Sequence, residues 1–178
     1  MSALLNSPID DPTNGPVDRP AVATRLQPMQ VADVPEVLAI EREVYALPWS
    51  EGNFIDSMAA GYLAYVLRRA PSLREVNTPI LGYFLAMKGF EEMHLLNISV
   101  AATFQGQGLA RQMLDALCRL CAEQGCPQLW LEVRLSNQRA RTVYQRYGFS
   151  EVGLRRGYYP VLQGPREDAC LMSLVVPQ

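Results

Sequence analysis

Residues 129–149 read LWLEVRLSNQRARTVYQRYGF, and the way this stretch divides decides the fold. Leu129 to Arg134 alternates leucine, aromatic and β-branched residues, which predicts a strand. The remainder predicts a helix. Asn137 is a good N-cap, Gly148 a good stop, and Ala140, Val143, Tyr144 and Tyr147 share one face. Glu132 is the anomaly, a carboxylate in mid-strand where an apolar residue is ordinary.

Upstream lies a second strand-turn-helix unit. A strand ending at Val100 leads through AATFQGQGLARQM (101–113) into a helix over Leu109–Gln124. Unpaired amides, the helix dipole and glycines that admit close approach are the means by which a backbone holds phosphate. A P-loop requires Gly-Lys-Ser/Thr, which is absent, and the dinucleotide fingerprint requires Gly or Ala where Arg111 stands. The pattern that remains, Gln105-x-x-Gly108-x-Ala110, matches the Q/R-x-x-G-x-G/A turn that holds the pyrophosphate of coenzyme A. An ordinary glycine-containing connection reads equally well from this turn by itself.

Further out, a short strand is predicted near Val22–Leu26, then a helix that Asp33 caps with Glu36 three residues later, and a shorter helix from Ser50 to about Ala60. Strands follow at Tyr62–Arg68, Ile80–Lys88 and Met93–Val100, the first two joined by the long loop APSLREVNTP. Two more are predicted near Phe149–Arg155 and Asp168–Val176. The order β-α-α-β-β-β-α-β-α-β-β combines antiparallel hairpins with one parallel crossover. It predicts an α/β fold, a three-layer α/β/α sandwich around a mixed sheet of six or seven strands. Residues 1–21, rich in Pro, Asp and Asn, are predicted to be a disordered leader, with one domain over 22–178.

Composition narrows the function classes. The chain has 178 residues, 49% apolar and 19% charged, enough for one sizeable core. A net charge of −2 advertises neither nucleic acid nor an acidic membrane. No apolar run reaches spanning length and the N-terminus lacks a signal-peptide pattern, so a cytoplasmic protein is expected. Cys118 and Cys121 form a C-x-x-C, but inside the predicted helix, where Leu109, Met113, Leu117, Leu120 and Cys121 make the apolar stripe. With His94 the single histidine, the four cysteines are expected to be reduced core residues rather than a metal site.

Together the segments resemble the GNAT N-acetyltransferase family, and within it the RimI type that acetylates ribosomal-protein N-termini. The motifs are LPWS (47–50), LLNISV (95–100), QGQGLAR (105–111), LWLEVRLSN (129–137), VYQRYGF (143–149) and RRGYYP…REDACLM (155–172), in the family's order and spacing. The resemblance implies a splayed central strand pair, with acetyl-CoA laid along Ile98, Ser99 and Val100. It places the pyrophosphate on the amides of Gly106, Gln107, Gly108, Leu109, Ala110 and Arg111, and Asn137 near the reactive end. It makes Glu132 the general base, Tyr144 the general acid, and Tyr158 and Tyr159 the holders of a substrate peptide. The implied acceptor is the N-terminal alanine of the eighteenth small-subunit ribosomal protein. No metal, nucleic acid or membrane is implied; a monomer is the simplest state. Gly106 departs from the pattern, since close relatives often carry arginine there.

The chemistry suits these residue types. Acetyl transfer to an amine needs a neutral nucleophile, a polarised carbonyl and a protonated leaving thiolate. An α-amine with a pKa near 8 is about a tenth neutral at pH 7, while lysine is neutral to less than about a thousandth. A carboxylate raised by burial is a sufficient base for the former, and a phenol can protonate the thiolate. A covalent route is disfavoured, because His94 alone leaves little to activate a cysteine. Plainer readings stand beside these. Glu132 is alternatively a structural carboxylate paired with Arg134 or another arginine, Tyr144 a core tyrosine, and Trp49, Tyr158 and Tyr159 packing residues. At the level of function, the alternatives are a lysine or small-amine acetyltransferase and a catalytically silent acyl-CoA-binding module.

Overall fold

The computed structural model describes residues 23–70 and 78–178. The predicted leader, Val22 and most of the 70–79 loop lie outside them. Strand β1 (Thr24–Pro28) leads through a 3-10 turn (Val31–Asp33) into α1 (Val34–Val44) and α2 (Glu51–Ala59). Three strands follow, β2 (Leu63–Arg69), β3 (Ile80–Lys88) and β4 (Glu92–Val100). After a second 3-10 turn (Ala102–Phe104) come α3 (Leu109–Glu123), β5 (Gln128–Arg134), α4 (Gln138–Tyr147), β6 (Ser150–Tyr159) and β7 (Glu167–Val175).

The strands form one seven-stranded sheet in the order β1-β2-β3-β4-β5-β7-β6. Among the described residues the β4–β5 pair is the one parallel pair: α3 carries the chain back to the starting end between them, and although α4 does the same between β5 and β6, β7 lies antiparallel between those two. Strand alternation then makes three layers. Val66, Tyr83 and Leu85 turn toward α1 and α2, and pack on Val37, Leu38 and Phe54. Their neighbours Leu67, Phe84 and Ala86 turn the other way, into a core with Met113 and Leu117 of α3 and Ala140 of α4. Each such fully buried leucine contributes about 1.5–3 kcal/mol.

Two local expectations change. Asp33 does not cap α1 with its side chain, because the chain already coils one turn earlier and holds Asp33 in helical conformation. Its carboxylate instead accepts from the Gln30 amide at 2.8 Å and pairs with Arg68 at 2.7 Å, while Glu36 accepts from the Ile80 amide at 2.6 Å. Strand β6 also runs on through Tyr158 and Tyr159, four residues beyond the predicted end at Arg155. The cysteines lie as expected of small core residues: all four are free, Cys118 and Cys121 lie within α3, and Cys121, Cys126 and Cys170 are buried.

Candidate active site

The site begins where two neighbouring strands part. Strands β4 and β5 pair at Glu92–Gln128, Met93–Leu129, His94–Trp130 and Leu95–Leu131, and no further. The cause is in β4. Its ladder with β3 jumps from Ala86–Leu95 to Leu85–Asn97, so Leu96 is a bulge, and a bulge bends and twists the strand that carries it. Beyond it, Ile98, Ser99 and Val100 stay paired with β3, while Glu132, Val133 and Arg134 stay paired with β7. A gap opens between them, as the splay expectation requires.

The polar groups bordering that gap are specific. The Ala101 amide bonds to Leu81 O at 2.9 Å, which sets the ladder's phase. Antiparallel alternation then turns the main-chain groups of Ser99 toward β3 and those of Ile98 and Val100 toward the gap. Both outward carbonyls are already engaged. Ile98 O accepts from the Tyr45 hydroxyl at 3.0 Å and Val100 O from Gln105 Nε2 at 3.0 Å. What β4 offers across the gap is the amides of Ile98 and Val100. Below them, Gly106 and Gly108 have φ of +74° and +76°, and a side chain on either would project into open space. Gly108 leads into α3 without a capping side chain, so the first-turn amides of Leu109, Ala110 and Arg111 point outward.

Glu132 sits on the facing strand. Leu129, Leu131 and Val133 enter the α3–α4 core, so a period of two sends Glu132 to the opposite face. Its side chain is 20% exposed rather than sealed in apolar surroundings. One oxygen pairs with Arg155, the other accepts from the Tyr158 hydroxyl at 2.9 Å, and its main-chain carbonyl accepts from the Tyr159 hydroxyl at 2.9 Å. The Arg155 guanidinium also lies 4.6 Å above the Tyr158 ring. Arg134, the neighbour weighed as a partner, goes elsewhere: it binds Glu167 at 2.9 Å and Pro160 O at 2.9 Å. Burial, followed by the hydrogen bond to Glu132, raises the Tyr158 phenol above its ordinary value.

Tyr144 approaches from the α3–α4 side. It is 1% exposed, stacks edge-on against Phe149 at 5.6 Å, and its hydroxyl has no hydrogen-bond partner among the described residues. Burial alone pushes its phenol up. A buried hydroxyl without a partner is rare enough to require a reason. Asn137 caps α4 as expected, its side chain accepting from the Ala140 amide at 3.1 Å.

Beside these residues lies a cleft of about 580 Å³, walled by Ala46 and Leu47, by the 134–139 turn, and by residues 160–163 of the β6–β7 loop. Glu167 ties its far side together, accepting from Arg134 and from the Ser136 amide at 2.8 Å. Sequence reasoning gave Asn137 a role here and quoted Leu47, Pro160 and Arg155 within motifs without assigning them one, and it missed Glu41. Glu41 is a buried carboxylate in α1, one turn after Val37 and Leu38. The sequence carried a signal for it, a charge in phase with the apolar stripe of Val37, Leu38 and Val44.

Comparison with known proteins agrees with this geometry. The acetyltransferase (GNAT) family model matches residues 34–149. A [ribosomal protein bS18]-alanine N-acetyltransferase of Escherichia coli K12 is 35% identical over 148 residues, covering 83% of this chain and 95% of that one. Its counterpart in Haemophilus ducreyi is 32% identical over 142 residues, covering 80% and 93%. The crystal structure of the ribosomal-protein-S18-alanine N-acetyltransferase from Escherichia coli superposes with a TM-score of 0.74 at 33% identity, over 87% of this chain and 95% of that one. Ard1 from Thermoplasma volcanium shares the fold, with a TM-score of 0.76 at 22% identity over 88% and 100%.

Proposed function

The chain belongs to the acetyltransferase (GNAT) family, and from that premise we propose that it acetylates the N-terminal alanine of a ribosomal protein, by direct attack on acetyl-CoA within a ternary complex. The bS18-directed relatives, at 35% and 32% identity over most of both chains, support this choice of acceptor. The single observation that carries the chemistry is the parting of β4 from β5 after Leu95 and Leu131. It leaves unpaired amides on one strand facing a carboxylate on the other.

Acetyl-CoA supplies the thioester whose acetyl group moves. Ile98, Ser99 and Val100 form the strand edge that receives its pantetheine arm. With both outward carbonyls engaged, the amides of Ile98 and Val100 are the groups that bind. The amides from Gly106 to Arg111 hold the pyrophosphate. The fit is physical, since both glycines have left-handed φ with open space above them and α3 adds the positive end of its dipole. Asn137 fixes the start of α4 at the reactive end.

Glu132 removes the proton from the α-amine, directly or through a water. Arg155 is exposed, so a substrate ammonium can take its place on the carboxylate. The acceptor peptide runs past Tyr158 and Tyr159 along the cleft bounded by Leu47 and residues 160–163. As the carbon–sulfur bond breaks, Tyr144 gives its proton to the thiolate. Burial keeps this phenol protonated, so its proton is present when the thiolate forms. The cysteines take no covalent part, since burial pushes Cys121 up to about 12 and withholds the thiolate. A ribosomal-protein acceptor places the enzyme in the cytoplasm, with residues 22–178 as its catalytic domain.

The test is release of coenzyme A with an alanine-initiated peptide. A peptide with a blocked N-terminus and free lysines should release none above background. Equal rates on both peptides would move the enzyme to the lysine-acetylating branch, and no release with either would favour a silent binding module.

A further inference from the structure

Outside the chemistry just described, the most unusual group in the molecule is Glu41. It is 1% exposed, and its bonding partners are neutral. Oε1 accepts from the Trp49 amide at 2.8 Å, and Oε2 accepts from the Tyr83 hydroxyl in a short hydrogen bond. Asn97 Nδ2 lies 3.4 Å from both oxygens. Asn97 in turn presents Oδ1 to the Tyr45 hydroxyl at 3.1 Å, and that hydroxyl also reaches Ile98 O at 3.0 Å. The ring of contacts closes through aromatics. Trp49 packs on Phe54 with centroids 5.3 Å apart, and Phe54 meets Tyr83 edge-on at 5.7 Å.

Burying a carboxylate costs free energy that a leucine at the same place in the stripe would not. Burial raises its pKa, while the bonds from Trp49, Tyr83 and Asn97 work in the opposite direction. For that cost the carboxylate connects three parts of the molecule: α1, the open end of the β3–β4 pair, and the turn leading into α2. This turn carries Ala46 and Leu47, which form one wall of the cleft. The strand carries Ile98, whose carbonyl Tyr45 occupies. The connection therefore runs from the acceptor's wall to the strand that faces the gap.

We infer that Glu41 is a positioning residue for the acceptor: by holding the 45–49 turn against Asn97 and Tyr83, it sets where the peptide amine stands relative to the strand at Ile98. This rests on the acetyltransferase reading above. A wall that drifts lets the amine drift, and misplacement on the scale of an ångström is costly to a bimolecular transfer. Glu41 touches neither substrate, so its loss is read in how the peptide binds and aligns.

The experiment uses the full chain, the alanine-initiated peptide, and three variants: Glu41→Leu, Glu41→Gln and Tyr83→Phe. Glu41→Leu should lower kcat/KM for the peptide by roughly 10- to 100-fold, mainly through KM, with KM for acetyl-CoA within about three-fold of wild type. Glu41→Gln keeps a carbonyl for the Trp49 amide and should recover most of that loss. Tyr83→Phe removes one donor, leaves the ring packing, and should raise the peptide KM by a few-fold. A simple stability role would instead lower kcat through the active fraction and leave both KM values alone, and that result would overturn the inference. An equal rise in both KM values would overturn it too. If Glu41→Leu does not fold, the Gln and Phe variants carry the same comparison. Failure of the wild type to acetylate the peptide would count against the proposed function instead, so the two failures are distinguishable.

Discussion

Glu41 and Glu132 flank one opening, Glu41 behind the β4 side and Glu132 on β5, and their surroundings differ in kind. Glu41 is sealed among an amide, a phenol and a carboxamide, with its bonds directed to fixed parts of the fold. Glu132 is partly open to solvent and holds an exposed arginine and one phenol. A carboxylate bonded on all sides by the fold cannot exchange its partners, so it acts as a fixture. One whose principal partner is a surface guanidinium can trade that cation for a substrate's. The difference separates a positioning group from a proton acceptor, and each prediction below is a way to break or refine it.

The largest effect is expected at Glu132. Glu132→Gln keeps shape and can still accept from Tyr158, but it cannot take a proton. Turnover should fall by about 10²–10³. Raising pH should restore part of the loss, because more of the α-amine is then already neutral. A wild-type rate at neutral pH would make Glu132 structural, held by Arg155 as Arg134 is held by Glu167, and the contrast with Glu41 would vanish.

Tyr144→Phe should cost turnover about 10- to 100-fold, without rescue at high pH, because the missing function is donation to the thiolate. Its second signature is thermal. The hydroxyl is buried without a partner among the described residues, so removing it forfeits no hydrogen bond, and the melting temperature should hold or rise. A core tyrosine with a satisfied hydroxyl would behave the opposite way. A marked fall in melting temperature with unchanged turnover would return Tyr144 to the core.

How legible all this was in the sequence depended on the element concerned. In β5, strict alternation puts Glu132 on the face opposite Leu131 and Val133, where a polar residue is ordinary, so the motif around it marked it rather than the period. In α1 the apolar stripe is wide. Glu41 falls in the middle of it, in phase with Val37, Leu38 and Val44, so its burial was legible in the spacing. The partners that close over it, Trp49, Tyr83 and Asn97, come from outside the helix, and only the packed structure shows them. Arg155 was hidden for a different reason. It reaches Glu132 across 23 residues, through a β6–β7 register that shifts at two irregularities, and no local pattern encodes such a slip. Asp33 looked like a cap because Asp-x-x-Glu is a cap signature; the long-range claim of Arg68 on both carboxylates decided otherwise. The helix-strand-helix core over α3, β5 and α4 was readable because its caps, glycines and stripes are all local.

Gly108→Val gives a smaller, two-part effect. The position has φ of +76°, so a β-branched residue there should cost about 1–2 kcal/mol in stability through backbone strain alone. Nothing among the described residues lies within 4 Å of the added Cβ, so steric collapse is not expected. The rise in melting temperature that acetyl-CoA gives the wild type should disappear in the variant, because the added side chain occupies the approach to the turn. An undiminished rise would move the pyrophosphate away from residues 106–111.

The smallest effect is a slope, and it tests the Glu41 side of the comparison without any substrate. Burial raises the Glu41 carboxyl above its ordinary value, against the pull of bonds from Trp49, Tyr83 and Asn97. An acid whose folded pKa is raised contributes stability that is fully present below its unfolded value and is lost as pH rises through the folded one. The Glu41→Gln chain has no such titration, and every other carboxylate is common to both proteins. The melting temperature of wild type minus that of Glu41→Gln should therefore fall as pH rises from the ordinary carboxylate range through the raised value of Glu41, then level off. Its sign at any single pH is not diagnostic, since the variant also weakens the bonds from Tyr83 and Asn97. The slope isolates the ionisation. A difference that stayed flat would mean the carboxyl titrates in the fold as it does in the unfolded chain. Burial and the three donors would then cancel, and ionisation would no longer set Glu41 apart. A difference that rose with pH would say that the three donors outweigh burial, making Glu41 a carboxylate the fold prefers charged.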